Sequence, residues 1–150
     1  MQRFHFRLKG LLRIKQSLEQ EVRRQLMEIQ QLCLQKEGEI KDTDTKVAEW
    51  SNYYNEVLSK RVNATELAVM DRHLQNLYRY KEQLVIGLEI LGRKKEDLMQ
   101  FYQEVKKEVK MLEHIREKKW AEYREELRKE DEKIADEMAT LRFGLEMRSV

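Results

Sequence analysis

The sequence predicts an all-α protein in which two long helices form an antiparallel coiled-coil hairpin, with the C-terminal helix overhanging. The 150 residues contain no proline, the residue that breaks helix interiors. Charged residues make up 39% and aromatic residues only 8%, a balance that suits two-sided helices with a narrow apolar seam. Apolar residues also recur at alternating steps of three and four, the 3.5-residue period of a coiled coil.

The most regular apolar pattern lies between Leu67 and Leu112. Twelve of its fourteen positions are apolar, and only Lys81 and Lys95 interrupt it. Disordered chains are also rich in charge, but they do not keep a heptad period over six repeats. The pattern therefore indicates one long helix that needs a partner helix, with the apolar positions Leu67, Met70, Leu74, Leu77, Leu84, Leu88, Leu91, Leu98, Tyr102, Val105, Val109 and Leu112.

A second seam covers the first third of the chain, with Lys15, Lys36 and Thr43 in its polar positions. Between Leu18 and Leu26 it takes two successive steps of four, a stutter that locally relaxes the left-handed supercoil. The apolar members of this second seam are Leu8, Leu11, Leu18, Val22, Leu26, Ile29, Cys33, Ile40, Val47, Trp50, Tyr54 and Val57.

The two seams are out of phase, and the break falls between Val57 and Leu67. Asn63, followed three residues later by Glu66, is typical of a helix N-cap. We therefore expect a single coiled-coil domain over 1–150, with helix one at about 4–59, a turn at about 60–64 and helix two at about 64–143. A short turn makes the two helices antiparallel.

The longer second helix should extend past the N-terminus of the chain. Its apolar pattern continues there less regularly, at Trp120, Tyr123, Leu127, Ile134, Met138, Leu141 and Leu145. Since no part of helix one is left to cover this stripe, the sequence predicts a binding surface at this end.

The sequence gives no pattern typical of a catalytic, metal or cofactor site. His5, His73 and His114 are far apart, and Cys33 is the single cysteine, so we expect no metal site and no internal disulfide. Carboxylates on an exposed helix stay solvated and make poor general acids, so we expect no enzyme and no cofactor. The single cysteine, the absence of an apolar run long enough to cross a membrane and the absence of a secretory signal favour a cytosolic protein, while the formal net charge of +2 points to no partner class.

Two surface features leave alternatives open. The first fifteen residues carry five cationic side chains and no acid, so this segment could lie on an anionic membrane, contact nucleic acid, pack on helix two or dock into a protein partner. Aromatic side chains also gather near the expected turn, where they form either a binding site or seam packing. They are Trp50, Tyr53, Tyr54, Tyr78 and Tyr80.

Both ends of the chain resemble the flagellar export protein FliJ family. Residues 4–15, FHFRLKGLLRIK, are similar to the F-x-F-R-L-x-x-L-L-x-I start of that family. The C-terminal part is similar to its E-x-K-x-x-D-E-x-A ending. Glu130, Asp136, Glu137 and Ala139 fall in register if a one-residue variation at Lys133 is allowed.

This resemblance implies a non-enzymatic central stalk of the flagellar type III protein export apparatus, needed for flagellum assembly and motility. Such a protein inserts into the hexameric export ATPase, contacts the cytoplasmic domain or linker of the export gate protein, and cycles export chaperones. It would be cytoplasmic, or peripheral on the cytoplasmic face of the inner membrane, and would bind no nucleic acid. The alternatives are the equivalent stalk of a virulence-type secretion system and a purely structural coiled-coil scaffold.

The resemblance also implies where the partners would bind. The end that carries both termini would enter the ATPase ring, with the candidate residues Arg7, Leu11, Arg13, Tyr123, Glu130, Lys133, Asp136 and Glu137. The export gate would contact both helices toward the turn, with the candidates Val47, Trp50 and Tyr54 on helix one and His73, Leu77 and Tyr80 on helix two.

Overall fold

The computed structural model describes residues 2–60 and 63–149 and contains two long helices. Helix α1 spans Lys9–Leu58 and helix α2 spans Ala64–Arg148, with 50 and 85 residues. The helices pack against each other, which confirms the predicted all-α hairpin. Arg61 and Val62, which belong to the predicted turn, lie outside the described residues. Over the described ranges, no helix is long and apolar enough to cross a membrane.

The residues fall into two compact units, which are described in turn. The first contains residues 1–18 and 104–150, and the second contains residues 19–103. The single coiled-coil domain expected over 1–150 stays a prediction.

In the first unit, an N-terminal arm of residues 2–8 precedes helix α1. The predicted helix start at about residue 4 is wrong, because the helix begins at Lys9, whose N–H donates to the Phe6 carbonyl at 3.1 Å. Phe4, Phe6 and Leu8 are all at least half-buried, while the residues between them are exposed. This alternation suits extended backbone, because a helix would point every second side chain to nearly opposite sides.

The core of the first unit joins the arm to both helices. Its buried members are Phe6, Leu12, Val105, Val109 and Leu112, and Phe4, Leu8, Leu18 and Ile115 pack around them. Leu12 is only 3% exposed, whereas Leu11 is 44% exposed. The predicted seam position Leu11 is therefore wrong, because Leu12 leads to the buried Val22 through half-buried Lys15 and Glu19 in steps of three and four, without the predicted stutter.

The seam of helix α2 agrees with the predicted pattern at every position. All fourteen positions from Leu67 to Leu112 are buried or half-buried, including the two lysines. Among the other residues from 63 to 112, Gly87 alone reaches this degree of burial. The heptad pattern thus determines which face of α2 is covered.

In the second unit, two polar side chains at the seam, Lys81 and Thr43, are paired. The Lys81 ammonium lies 2.5 Å from the Asp44 carboxylate across the two helices. The buried Thr43 hydroxyl donates to the Glu39 carbonyl at 2.8 Å within its own helix. These contacts satisfy polar groups that the seam covers, so a lysine or threonine is tolerated there.

The N-cap predicted at Asn63 is confirmed. The Asn63 carbonyl accepts from the N–H groups of Glu66 at 3.1 Å and Leu67 at 3.3 Å. Its side-chain oxygen accepts from the N–H of Thr65 at 3.3 Å. The bonds from Thr65 and Glu66 occupy donors that a helix leaves unpaired in its first turn, the bond from Leu67 is the first regular bond of the helix, and together they fix the start of α2.

Candidate functional site

The first candidate site is the C-terminal extension, residues 128–148, in which every side chain is exposed. Four of its six large apolar side chains are spaced by four, three and four residues, which places these four along one stripe, while Phe143 and Met147 lie off it. Leu141, for example, is 68% exposed. The predicted stripe is uncovered at Ile134, Met138, Leu141 and Leu145. The prediction is wrong for its first members, because Phe4 of the N-terminal arm contacts Trp120 and Tyr123, and Leu127 is half-buried.

An ion-paired cluster supports the start of the extension. The Arg128 guanidinium donates to the Glu125 carboxylate at 2.7 and 3.2 Å, and it also pairs with Glu132 one turn later. The hydrogen bond from Arg128 is the main reason that the pKa of Glu125 is lowered, and the same bond raises the pKa of Arg128. Such pairs stabilise a helix that has no partner helix. This contribution is present above the ordinary carboxyl pKa and is lost as the pH falls through the lowered value.

The eight predicted ATPase-binding residues fall into three groups. Lys133, Asp136 and Glu137 line a shallow groove with Thr140 and Leu141 on the extension. A second groove, beside the arm, contains Tyr123 and Glu130. The remaining three, Arg7, Leu11 and Arg13, are exposed but line neither groove.

The second candidate site is an aromatic groove in the second unit. The Trp50 ring lies edge-on to His73, with 4.5 Å between ring centroids, and 5.8 Å from the Tyr53 ring. These rings form one wall of an open groove near the start of α2. Its lining residues are Trp50, Tyr53, Thr65, Glu66, Val69, Met70 and His73.

Two of the six predicted gate-binding residues, Trp50 and His73, are in this aromatic groove. Val47, Tyr54 and Leu77 are half-buried on their helices, and Tyr80 is exposed but outside the groove. The sequence reasoning missed Val69, which is 65% exposed. No heptad signal marks Val69, because it sits beside the seam position Met70 rather than on the seam.

Comparison with known protein families identifies the chain. A family model described as "Flagellar FliJ protein" matches residues 4–148. The chain belongs to the FliJ family. No curated protein and no solved structure matches it.

Membership of the FliJ family makes the chain a component of the flagellar export apparatus, with a role in protein export and motility. The FliJ match begins at Phe4 and ends at Arg148. It therefore includes Phe4 and Phe6 of the N-terminal arm and the whole C-terminal extension. These two segments are parts of the family's domain and not additions to it.

Proposed function

We propose that this chain is the non-enzymatic stalk that couples the hexameric export ATPase to the export gate. The observation that carries the proposal is the C-terminal extension, a helix of 21 residues whose apolar stripe is covered by no described residue. A contiguous exposed apolar stripe on a charged helix is typical of a surface that binds another protein. Because FliJ proteins belong to the flagellar export apparatus, we infer that the partner of the stripe is another component of that apparatus.

The charge of the extension suits the inside of a ring. Residues 128–148 carry five cationic and six anionic side chains, so neither sign dominates. The four stripe residues can anchor the helix, while mixed charges around them make weak polar contacts that are easily exchanged. Such contacts allow ring subunits to change conformation during ATP hydrolysis without releasing or trapping the stalk.

ATPase turnover tests this proposal. Purified chain is added to the purified export ATPase at increasing concentrations, and both phosphate release and hexamer assembly are measured. The stalk proposal expects both to rise and then saturate. A scaffold that has no ATPase partner would leave both unchanged, and that result would overturn the proposal.

The export gate is the second partner that we propose, and the aromatic groove is its binding surface. Trp50 is the central side chain of the groove, since its ring contacts both Tyr53 and His73. Large aromatic side chains at the centre of a contact often supply most of its affinity. Export chaperones are the third proposed partner, and the proposed location is the cytoplasm or the cytoplasmic face of the inner membrane.

We expect Trp50→Ala to weaken binding to the cytoplasmic domain of the export gate by at least about tenfold. The matched control is Trp120→Ala, which removes the other tryptophan, in the first unit, and should leave gate affinity unchanged. Isothermal titration measures both affinities, and circular dichroism checks helix content. Equal losses for the two variants would show that the groove is not the gate site.

A further inference from the structure

We infer that residues 2–5, the tip of the N-terminal arm, are a detachable latch over Trp120 and Tyr123 of helix α2. Opening the latch would lengthen the apolar surface that the C-terminal extension offers to the export ATPase. This inference rests on the proposed function, and it adds that the N-terminal arm regulates access of the export ATPase to the apolar surface of α2.

Aromatic contacts hold the tip in place. The Phe4 ring packs edge-on against Trp120, with 4.9 Å between centroids, and lies 5.5 Å from the Tyr123 ring. Trp120 and Tyr123 also stack on each other at 5.7 Å. The Tyr123 hydroxyl donates to the Gln2 carbonyl at 2.6 Å. The tip therefore sits on a two-ring platform that α2 supplies from adjacent turns.

The tip is held much more weakly than the rest of the arm. Phe6 is buried in the core of the first unit, and its carbonyl accepts the hydrogen bond that begins α1. Among the described residues, the bond from Tyr123 is the single hydrogen bond that links residues 2–5 to α2. Phe4 is only half-buried, and Trp120 keeps 44% of its surface exposed. Phe6 is thus a fixed anchor, about which the tip can move.

The platform under the tip continues the binding stripe. Trp120, Tyr123 and Leu127 precede Ile134 at helical spacings of three, four and seven residues, so they lie on the same side of α2. The tip forms one wall of an open groove whose other wall, on α2, includes Tyr123, Leu127 and Glu130. Because Phe4 occupies part of the platform, a protein that binds the extension can contact the whole platform only after the tip has moved.

The expected size of the effect follows from the contacts that must break. One aromatic pair or one neutral hydrogen bond shifts an equilibrium by about two- to tenfold. If a partner binds only the open form, its apparent dissociation constant is the intrinsic constant divided by the fraction of molecules that are open. Weakening the latch should therefore tighten ATPase binding by about two- to tenfold.

Trp120 provides a direct reporter of the latch. The chain has two tryptophans, so Trp50→Phe leaves Trp120 as the single one. In this background, Phe4→Ala should raise acrylamide quenching of Trp120 and tighten binding to the export ATPase by about two- to tenfold. Tyr123→Phe removes only the hydrogen bond to Gln2 and should act in the same direction. Phe101→Ala, a phenylalanine of the second unit that is 43% exposed, is the matched control and should change neither quantity.

Each other outcome has a defined meaning. Unchanged quenching in both latch variants would show that the tip does not shield Trp120, and would overturn the latch alone. Raised quenching with equal or weaker ATPase affinity would show that the tip does not restrict access, which also overturns it. If the unmodified chain does not bind the ATPase, the proposed function fails, and the regulatory role fails with it. Circular dichroism confirms that the variants keep their helix content.

Discussion

Deletion of residues 128–150 should reduce affinity for the export ATPase by at least about 100-fold and leave the melting temperature of the remaining hairpin unchanged. Burying even two side chains of leucine size contributes about 3–6 kcal/mol, and the deletion removes six large apolar side chains that are exposed, four of them in the stripe. The melting temperature should stay the same, because no side chain from 128 to 148 is buried or half-buried. A pull-down with purified ATPase and a thermal melt followed by circular dichroism measure the two quantities.

A matched pair of point variants tests whether ATPase binding needs the apolar stripe itself or only the length of the helix. Leu141→Glu places a charge in the stripe and should weaken ATPase binding strongly. Leu34→Glu makes the same change at an exposed leucine of α1 in the second unit and should not weaken ATPase binding.

The deletion of residues 128–150 has two contradicting outcomes. Full ATPase affinity of the deletion variant would place the binding surface elsewhere. A lower melting temperature would mean that the extension packs against the hairpin.

Leu12→Ala should destabilise the protein by about 2–5 kcal/mol, whereas Leu11→Ala should cost less than about 1 kcal/mol. Leu12 belongs to the core of the first unit with Phe6, Val105 and Val109, and its replacement leaves a cavity there. Leu11 is the next residue in the chain, but its side chain faces solvent. Urea denaturation gives both free energies of unfolding, and the neighbouring leucine serves as the control. Similar losses at the two positions would show that Leu11 also packs against α2, as the predicted seam required, and would contradict the core described for the first unit.

The difference between Leu11 and Leu12 shows where sequence reasoning was sufficient and where it was not. The covered face of α2 could be predicted because its heptads run without a slip, and all fourteen positions are covered. Near the N-terminus the predicted seam took Leu11 and a stutter, whereas the covered side chains Leu12, Lys15, Glu19 and Val22 keep the heptad steps without one. The sequence does contain a local signal for the extended arm, since Phe4, Phe6 and Leu8 alternate with the polar residues His5 and Arg7, and a period of two is typical of extended backbone.

The position of a helix end and the lining of a groove depend on local backbone conformation and on the relative position of the helices, which a heptad pattern does not determine. We expected α2 to end at about residue 143, next to Gly144, a residue type that often ends helices in a left-handed conformation. Here no described glycine has a positive φ, and the helix continues to Arg148. In the same way, the seam predicted the place of Trp50 near the turn but not the contribution of Val69 to its groove. That contribution depends on where α2 begins relative to the end of α1.

Site-specific photo-crosslinking is the most direct test of the central claim that the C-terminal extension binds the export ATPase. A photoreactive amino acid replaces Leu141 in one variant and Leu34 in another, and each is irradiated with the assembled ATPase hexamer. We predict a covalent product with the ATPase from position 141 and none from position 34. Products from position 34 alone, or from neither position, would contradict the claim.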